Sequence, residues 1–483
     1  MLSLTQLAST AAHVALPHAR SYGVQARSVA GITSWPAQGL PLTVCRRAKA
    51  RSHTVSTVCA SRTVHAGASK FDGEVRFQAK FRCLFRCVRP GAVVPKTPED
   101  LVQVKVAFIG AGGINFGTPE GPWNHSARLQ LLPDVTFSAI VDPNQKLAQE
   151  RIDTLQKGEH GDKWKHTKVF ANYQAMLEDA ASKPTAAFIG VPPKYHGALE
   201  DPQANLELEL AKAGVHLFVE KPLSVRPAAE VAELAHQLKQ IQDKNNIIIA
   251  VGYMFRYSAL AQAAKKILRE HDATPLAVIA RYACAYSDIR KKDWWDTSLS
   301  GGPIVEQATH FVDLMRFFAG EILQDTIKAV SVGPQQELTD MAAPPEGEHE
   351  VPMERRINRV TAAVFHFSSG AVGSLTHSLV LHTSYYQTEL EILADGLHII
   401  LTDPYNAPKL KVRYPHSSEY EEVPLDDRDV YLIEAETFID AIKSGNADKI
   451  ESLYEDSALS YQATQWITAA SSENRHEKSD PHA

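Results

Sequence analysis

The chain has little cysteine, no long hydrophobic run, and no acidic residue before Asp72. Four of its five cysteines lie within the first 100 residues, and Cys83 and Cys87 have no second pair of thiols or histidines at zinc-like spacing. We therefore expect no metal site, a reducing compartment, and a small core residue at Cys284. No uninterrupted apolar stretch approaches the roughly 20 residues that cross a bilayer, so no integral membrane protein is expected.

Charge is distributed unevenly along the chain. The first 100 residues carry 14 Lys and Arg against 4 Asp and Glu, although the net charge of the whole chain is -6. The rest of the chain is therefore acidic, which argues against a nucleic acid partner. The acid-poor, Arg- and Ser-rich leader is typical of an organellar transit peptide and equally of a disordered segment. A cytoplasmic protein is expected, or a mitochondrial one if the leader is a real transit peptide.

A length of 483 residues exceeds one ordinary core and predicts two folded domains with an appendage. We predict a leader over 1–100, a dinucleotide-binding domain over 101–252, an α+β domain for substrate binding and oligomerisation over 253–472, and a tail over 473–483.

Apolar runs alternate with helical patterns in the first predicted domain. Strands are expected at 104–109, 136–141, 186–191, 215–219 and 247–251, with a helix at 224–241 among those between them. Such alternation predicts an α/β Rossmann domain whose parallel sheet has helices on both faces.

Strand-like runs follow one another after Gly252, with little helix between them. They lie at 276–286, 327–332, 360–367, 372–381, 387–392, 398–401 and 409–414. Turn signals at 368–370 and 394–396 predict hairpins. A large, open, mainly antiparallel sheet is expected, with helices at 259–271, 307–318 and 430–443 covering one face.

A glycine-rich turn follows the first strand and indicates where a cofactor binds. The turn reads Gly110-Ala111-Gly112-Gly113-Ile114-Asn115, and the second strand ends in Asp142. Glycines allow a pyrophosphate to approach the backbone, and the acid accepts hydrogen bonds from a ribose, which favours NAD over NADP without excluding NADP. Asn115 stands where the pattern has its third glycine.

Two further strands end abruptly in prolines and polar side chains. One ends at Pro192 and is followed by His196, and the other ends in Glu220-Lys221-Pro222. Because parallel strands place their carboxyl ends at one edge of a sheet, we expect Pro192, His196, Glu220 and Lys221 to line the cofactor cleft. His196 is predicted either to face the nicotinamide or to contact the start of a helix.

Substrate contacts are expected from residues that combine large surfaces with hydrogen-bonding tips. Tyr253, Arg256 and Trp295 flank the cleft-bearing segments and suit a sugar or polyol. Trp295 is equally expected as a core anchor.

Taken together, these residues resemble the Gfo/Idh/MocA family of NAD(P)-dependent oxidoreductases, and in particular its fungal-type members. The resemblance covers about 103–472, through Gly110-Ala111-Gly112, Glu220-Lys221-Pro222, Gly301-Gly302, and the segments 438–442 and 454–458. Two departures are an insertion of about seven residues before His125, and Glu306 in place of the family's Asp.

The resemblance implies a function and a set of site residues. Lys221 is expected beside the nicotinamide and His310 as the acid/base residue, with Glu306 contacting substrate on the same helix face. The implied activity is hydride transfer between the nicotinamide and a hydroxyl-bearing carbon of a sugar, polyol or related molecule, in a homo-oligomer. The alternative is a non-catalytic dinucleotide-binding sensor of the same fold.

Overall fold

A computed structural model of the chain describes residues 103–119, 121–285, 292–336, 348–381 and 386–476. The predicted leader and most of the predicted tail therefore lie outside the described residues. Within the described ranges, no helix combines the length and apolar character needed to cross a bilayer.

A six-stranded parallel sheet forms the first half of the fold, in the order β3-β2-β1-β4-β5-β6. Its strands are β1 (Val104–Ile109), β2 (Val135–Val141), β3 (Lys168–Phe170), β4 (Ala186–Ile189), β5 (His216–Val219) and β6 (Ile249–Val251). The helices of this half are α1 (Gly113–Phe116), α2 (His125–Leu129), α3 (Gln145–Gln156), α4 (Tyr173–Glu178), α5 (Leu206–Lys212) and α6 (Ala228–Asn245).

The predicted Rossmann topology is confirmed, and burial on both faces explains it. Phe108 and Phe188 contribute to one apolar layer, while Ile109 and Ile189 contribute to the layer on the other side. Runs of this kind can be buried only where helices cover both faces, as right-handed crossovers allow. All five predicted strands are present, and β3 is an additional one.

A nine-stranded sheet forms the second half, in the order β14-β13-β12-β11-β7-β10-β9-β8-β15. Its strands are β7 (Pro275–Ala285), β8 (Lys328–Val332), β9 (Val360–His366), β10 (Val372–Leu381), β11 (Gln387–Ala394), β12 (Leu397–Thr402), β13 (Lys409–Arg413), β14 (Glu421–Val423) and β15 (Arg475–His476). The helices are α7 (Ala259–Glu270), α8 (Thr297–Ser300), α9 (Pro303–Glu306), α10 (Thr309–Ala319), α11 (Val430–Ser444) and α12 (Tyr454–Glu473).

The mainly antiparallel character of this sheet is confirmed. Both predicted hairpins form, because β9 pairs antiparallel with β10 and β11 pairs antiparallel with β12. The central pair β7 and β10 is parallel, with Val278 opposite Gly373. One face carries buried side chains, and the other leaves Val330, Val364 and Val372 exposed.

The C-terminal helices correct one prediction. The segment 430–443 was expected to cover the antiparallel sheet, but Phe438 and Ile439 of α11 pack into the core around β1 and β4. Helix α12 was not predicted, and it lies against α6, β8 and α10. Helix α12 joins the two halves, because Tyr454 and Tyr461 pack into the core of the first half while Ile467 packs into the core of the second.

Candidate active site

The site lies at the carboxyl edge of the parallel sheet, where the strand order reverses between β1 and β4. The glycine turn follows β1, and Pro192 follows β4 as an exposed residue. Open α/β sheets bind ligands at such a switch point.

The glycine turn is shaped by close backbone contact. Gly110 has φ +101°, and a Cβ there would lie 2.8 Å from the carbonyl oxygen of Gly190. A Cβ at Gly112 would meet no atom within 4 Å, so the space above this glycine is open. Gly113 and Ile114 then begin α1. The turn therefore fits the close approach of a pyrophosphate.

Asn115 supports the turn from below. Its side chain is fully buried, and its Nδ2 donates to the carbonyl oxygens of Ile109 at 3.3 Å and Gly110 at 2.8 Å. Asn115 was predicted among the cofactor-binding residues, and the structure places its side chain beneath the turn. The amide holds the carbonyl groups of Ile109 and Gly110 in place. A glycine at position 115 would have no side chain to donate these hydrogen bonds.

Asp142 links the end of β2 to the same turn. Its Oδ2 accepts from the Ala111 N–H at 2.7 Å, and its Oδ1 accepts from the Asn144 N–H at 2.8 Å. A carboxylate has about four acceptor positions, so partly exposed Asp142 keeps capacity for a ribose hydroxyl. The turn and this acid together fit a dinucleotide.

Lys221 reaches from the first sheet to the second half of the fold. Its side chain is 17% exposed, and its Nζ donates to the Glu306 carbonyl oxygen at 3.0 Å and to Glu306 Oε1 at 3.4 Å. The Lys221–Pro222 peptide bond is cis. An ammonium group is thereby held at the entrance between the two halves.

Glu220 fixes the backbone on which Lys221 stands. Its Oε1 lies 2.6 Å from His125 Nε2, and its Oε2 accepts from the Lys221 N–H at 3.2 Å. A Cβ at Gly252 would lie 3.0 Å from Glu220 Oε1, so a glycine leaves room for the carboxylate. Glu220 therefore positions the Lys221 backbone, and His125 was not predicted as its partner.

His310 lies at the start of α10 inside a cage of aromatic rings. Its ring centroid is 5.4 Å from Phe255, 6.0 Å from Tyr253 and 6.3 Å from Tyr405. Burial, and then the nearby Lys221 ammonium, hold the pKa of His310 well below its usual range. Its Nδ1 is buried without a hydrogen-bond partner among the described residues. His310 is a neutral imidazole at pH 7.

Glu306 and His310 do not share a continuous helix. Helix α9 ends at Glu306 and α10 begins at Thr309, so the predicted helix over 307–318 begins two residues later than predicted and does not include Glu306. The Glu306 carboxylate contacts Lys221. Pro303 stands in the first turn of α9, where a proline is tolerated.

Three predicted substrate residues are buried in the structure. Arg256 is corrected to a structural role: its guanidinium donates to both Asp313 oxygens at 2.6 and 2.7 Å, and its Nη1 donates to the Glu451 carbonyl at 2.7 Å and to Asp456 at 2.5 Å. Of the two alternatives predicted for Trp295, the structure shows the core residue, at 1% exposure. Tyr253 shares a 2.9 Å hydrogen bond with Thr309, so it supports the His310 cage.

His196 is also buried. Its Nδ1 lies 2.7 Å from Glu207 Oε1, and Glu207 Oε2 accepts from the Gly197 N–H at 3.0 Å. Of the two predicted alternatives, the structure shows the contact with a helix, since Glu207 lies in the first turn of α5. This buried pair fixes the loop after β4.

Sequence reasoning missed Tyr405 and Tyr386. Their rings stack at 4.9 Å, and Tyr405 also packs against Phe255 at 4.7 Å. Tyr405 comes from the loop between β12 and β13, about 100 residues beyond His310 in the sequence. Tyr405 lies three residues after the end of β12 at Thr402. No local sequence pattern linked this loop to the site.

Comparison with known proteins accords with this geometry. Residues 104–253 match the model of the oxidoreductase family with an NAD-binding Rossmann fold, and residues 256–397 match an oxidoreductase C-terminal domain. An uncharacterized protein of Schizosaccharomyces pombe is 36% identical over 373 residues, which are 75% of this chain and 96% of that relative. The chain belongs to the Gfo/Idh/MocA oxidoreductase family.

Two further similar proteins share less of their sequence with the chain. Myo-inositol 2-dehydrogenase of Thermotoga maritima is 24% identical over 355 residues, covering 71% of this chain and 89% of that enzyme. Levoglucosan dehydrogenase in complex with NADH superimposes with a TM-score of 0.60 at 18% identity, over 77% of this chain and 98% of that structure. The chain thus carries an NAD-binding domain, and the predicted family and fold are confirmed.

Proposed function

We propose that the chain is an NAD(P)-dependent dehydrogenase that acts on a hydroxyl-bearing carbon of a sugar, polyol or related small molecule. The observation that carries this proposal is the convergence of Lys221 and His310. Lys221 follows β5 and His310 lies in α10, in different halves of the fold. Lys221 Nζ donates to the carbonyl oxygen of Glu306, four residues before His310, and the ammonium helps to lower the pKa of the imidazole.

The two side chains have complementary roles in this proposal. Neutral His310 accepts the proton of the reacting hydroxyl, since an unprotonated imidazole is available throughout the neutral range. Lys221 stabilises the negative charge that develops on that oxygen, and a fixed charge is most effective where water is excluded. Aromatic rings around His310 exclude that water.

The remaining site residues hold the reactants in place. The bound nicotinamide would supply the hydride acceptor or donor. Gly112 leaves the space for the pyrophosphate, and Asp142 accepts from a ribose and repels a 2′-phosphate, which supports NAD as the preferred cofactor. Myo-inositol 2-dehydrogenase and levoglucosan dehydrogenase among the similar proteins support a polyol or sugar substrate.

A substrate screen tests the proposal. Sugars, polyols and dihydrodiols are incubated with NAD or NADP, and turnover is followed at the nicotinamide absorbance. We expect Lys221→Ala and His310→Ala to lower kcat by about 100-fold or more, with cofactor binding retained. Exposed Lys212→Ala and His236→Ala serve as matched controls.

Two results would contradict the proposal. Unchanged turnover in both site variants would remove the catalytic roles. Cofactor binding without turnover of any compound would favour the non-catalytic sensor, which needs neither a base nor a fixed positive charge.

A further inference from the structure

We propose that His377 and Gln307 are positioning residues for Lys221. The hydrogen bond between them fixes the peptide group that joins Glu306 to Gln307, and the carbonyl oxygen of that peptide group holds the Lys221 ammonium. This inference rests on the proposed function and deepens it, because it assigns to a buried pair the placement of the charge that stabilises the reacting oxygen.

The Glu306 carbonyl oxygen determines where the Lys221 ammonium lies. Lys221 Nζ donates to this oxygen at 3.0 Å, and its contact with Glu306 Oε1 is longer, at 3.4 Å. The carbonyl belongs to the last residue of α9, and the last carbonyls of a helix have no partners within that helix. Because a lysine side chain can satisfy such a carbonyl, the position of Nζ follows the orientation of one peptide group.

Gln307 forms the other end of the same peptide group. A peptide group is planar, so the Glu306 carbonyl and the Gln307 N–H and Cα move together. The Gln307 N–H donates to the Pro303 carbonyl oxygen at 3.0 Å, and the Gln307 side chain is buried. Holding this side chain therefore limits the rotation of the carbonyl that Lys221 binds.

His377 and Cys284 hold the Gln307 side chain from the buried face of the nine-stranded sheet. His377 Nε2 lies 2.9 Å from Gln307 Oε1, and Cys284 Sγ donates to the same oxygen at 3.5 Å. Burial lowers the pKa of His377 to about 3, so its imidazole is neutral at pH 7. Since an amide oxygen only accepts hydrogen bonds, the single proton of this neutral ring is on Nε2.

The strands that carry these two groups keep them in place. His377 lies inside β10, opposite Tyr282 of β7 on one side and Thr361 of β9 on the other. Its ring stacks on the Tyr282 ring at 5.1 Å, and Cys284 follows two residues later on the same face of β7. Strands hold a side chain more precisely than loops do, which is what a positioning residue needs.

His377→Leu tests this assignment, because it removes the N–H and keeps an apolar side chain. For the best substrate of the screen we expect kcat to fall about 10-fold, while the dissociation constant of NAD changes less than about 2-fold. His377→Gln keeps an N–H near the position of Nε2 and should stay within about 3-fold of the wild-type kcat. The matched control is His398→Leu in strand β12 of the same sheet, where Nε2 contacts Glu391, and its kcat should be unchanged.

Two combined variants distinguish positioning from a merely structural role. In a Lys221→Ala background there is no ammonium to displace, so we expect the effect of His377→Leu on kcat to shrink below about 2-fold. In Gln307→Leu/His377→Leu both buried partners are apolar, so the melting temperature should return towards the wild-type value while kcat stays about 10-fold low. If His377→Leu does not fold, as judged by its melting curve, this double variant replaces it in every comparison.

Acetylation of Lys221 measures the same placement without any substrate. The protein is treated with acetic anhydride, and the rate of modification at Lys221 is followed by mass spectrometry after digestion. Loss of the hold on the Glu306 carbonyl should make Lys221 react about 3-fold faster in His377→Leu, with an unchanged rate in His377→Gln.

Three kinetic results would overturn the assignment while wild-type turnover still supports the proposed function: an unchanged kcat in His377→Leu, an equal loss with and without Lys221, or a kcat that recovers together with the melting temperature. A wild-type protein that turns over no compound would contradict the proposed function itself. The acetylation rates would then decide the assignment, and equal rates in wild type and His377→Leu would overturn it.

Discussion

His125 Nε2 lies 2.6 Å from Glu220 Oε1, and this contact joins the helix after the glycine turn to the residue before Lys221. The His125 ring is 3% exposed and packs against Phe188 and Phe218, at 5.2 and 5.1 Å between centroids. The helix that follows the glycine turn is thus connected directly to the segment that carries the ammonium group.

We expect His125→Ala to destabilise the protein and to slow turnover, because it leaves Oε1 of the buried Glu220 carboxylate without its histidine partner. The free energy of unfolding should fall by about 1–3 kcal/mol, measured by urea denaturation. His125→Gln keeps a donor and should retain most of the stability and of kcat. Equal losses in both variants would show that ring packing, and not the hydrogen bond, is what matters.

The carboxylate of Asp142 should control cofactor preference. Asp142→Asn keeps an acceptor for the Ala111 N–H but removes the charge that repels a 2′-phosphate. We expect the ratio of kcat/KM for NADP to that for NAD to rise about 10-fold or more. A wild-type preference for NADP, or an unchanged ratio in the variant, would contradict this role.

Arg256 should affect stability far more than substrate recognition. Arg256→Met leaves Asp313 buried without its partner, so we expect the free energy of unfolding to fall by about 3–5 kcal/mol. Arg428→Met removes a solvent-exposed ion pair and should cost under about 1 kcal/mol. A large change in the KM for substrate in Arg256→Met, with little change in the free energy of unfolding, would show that Arg256 contacts substrate.

His377 should make stability depend on pH. Burial lowers the pKa of His377 to about 3, while an unfolded histidine titrates near 6.5. Below pH 6.5 the unfolded chain therefore binds a proton that the folded protein does not, and this contribution to stability is lost progressively down to about pH 3. Between pH 7 and pH 5, the free energy of unfolding of His377→Gln should fall by about 2 kcal/mol less than that of the wild type, measured by urea denaturation. If the free energy of unfolding changed with pH in the same way in both proteins, His377 would not contribute to the pH dependence of stability.

The open face of the nine-stranded sheet should mediate self-association. Val330, Val364 and Val372 lie on the neighbouring strands β8, β9 and β10 and are 59%, 52% and 46% exposed. We expect sedimentation to show a dimer or larger assembly, and Val364→Lys to shift it towards monomer. The matched substitution at exposed Leu131, outside this sheet, should leave the assembly unchanged. A monomeric wild type would contradict the expectation.

Much of the fold could be predicted from the sequence because its strands are apolar runs that end in clear breaks. Strand β3 was missed because it has only three residues, none of them fully buried. Helix α12 was missed because small polar side chains, including Ser457, Ser460 and Thr464, make up much of its buried face. Burial of such residues leaves little periodic signal in hydrophobicity.

The site was predictable where its residues end a strand, and not where they depend on distant partners. Lys221 and Asp142 follow apolar runs directly. From the sequence, a substrate carboxylate or hydroxyl and an acidic side chain are equally good partners for Arg256. Only the fold shows that its partner is Asp313, 57 positions away. Tyr405 is brought to His310 by the pairing of β12 with β13, which no local motif encodes.

The return of α11 to the first sheet affects how the chain can be divided. Phe438 fills a space beside Phe188 and Phe218, with centroids 5.7 and 5.6 Å away. A fragment that stops at the end of β6 would expose those two rings to water. The nucleotide-binding half is therefore completed only after residues 430–444 have left the ribosome.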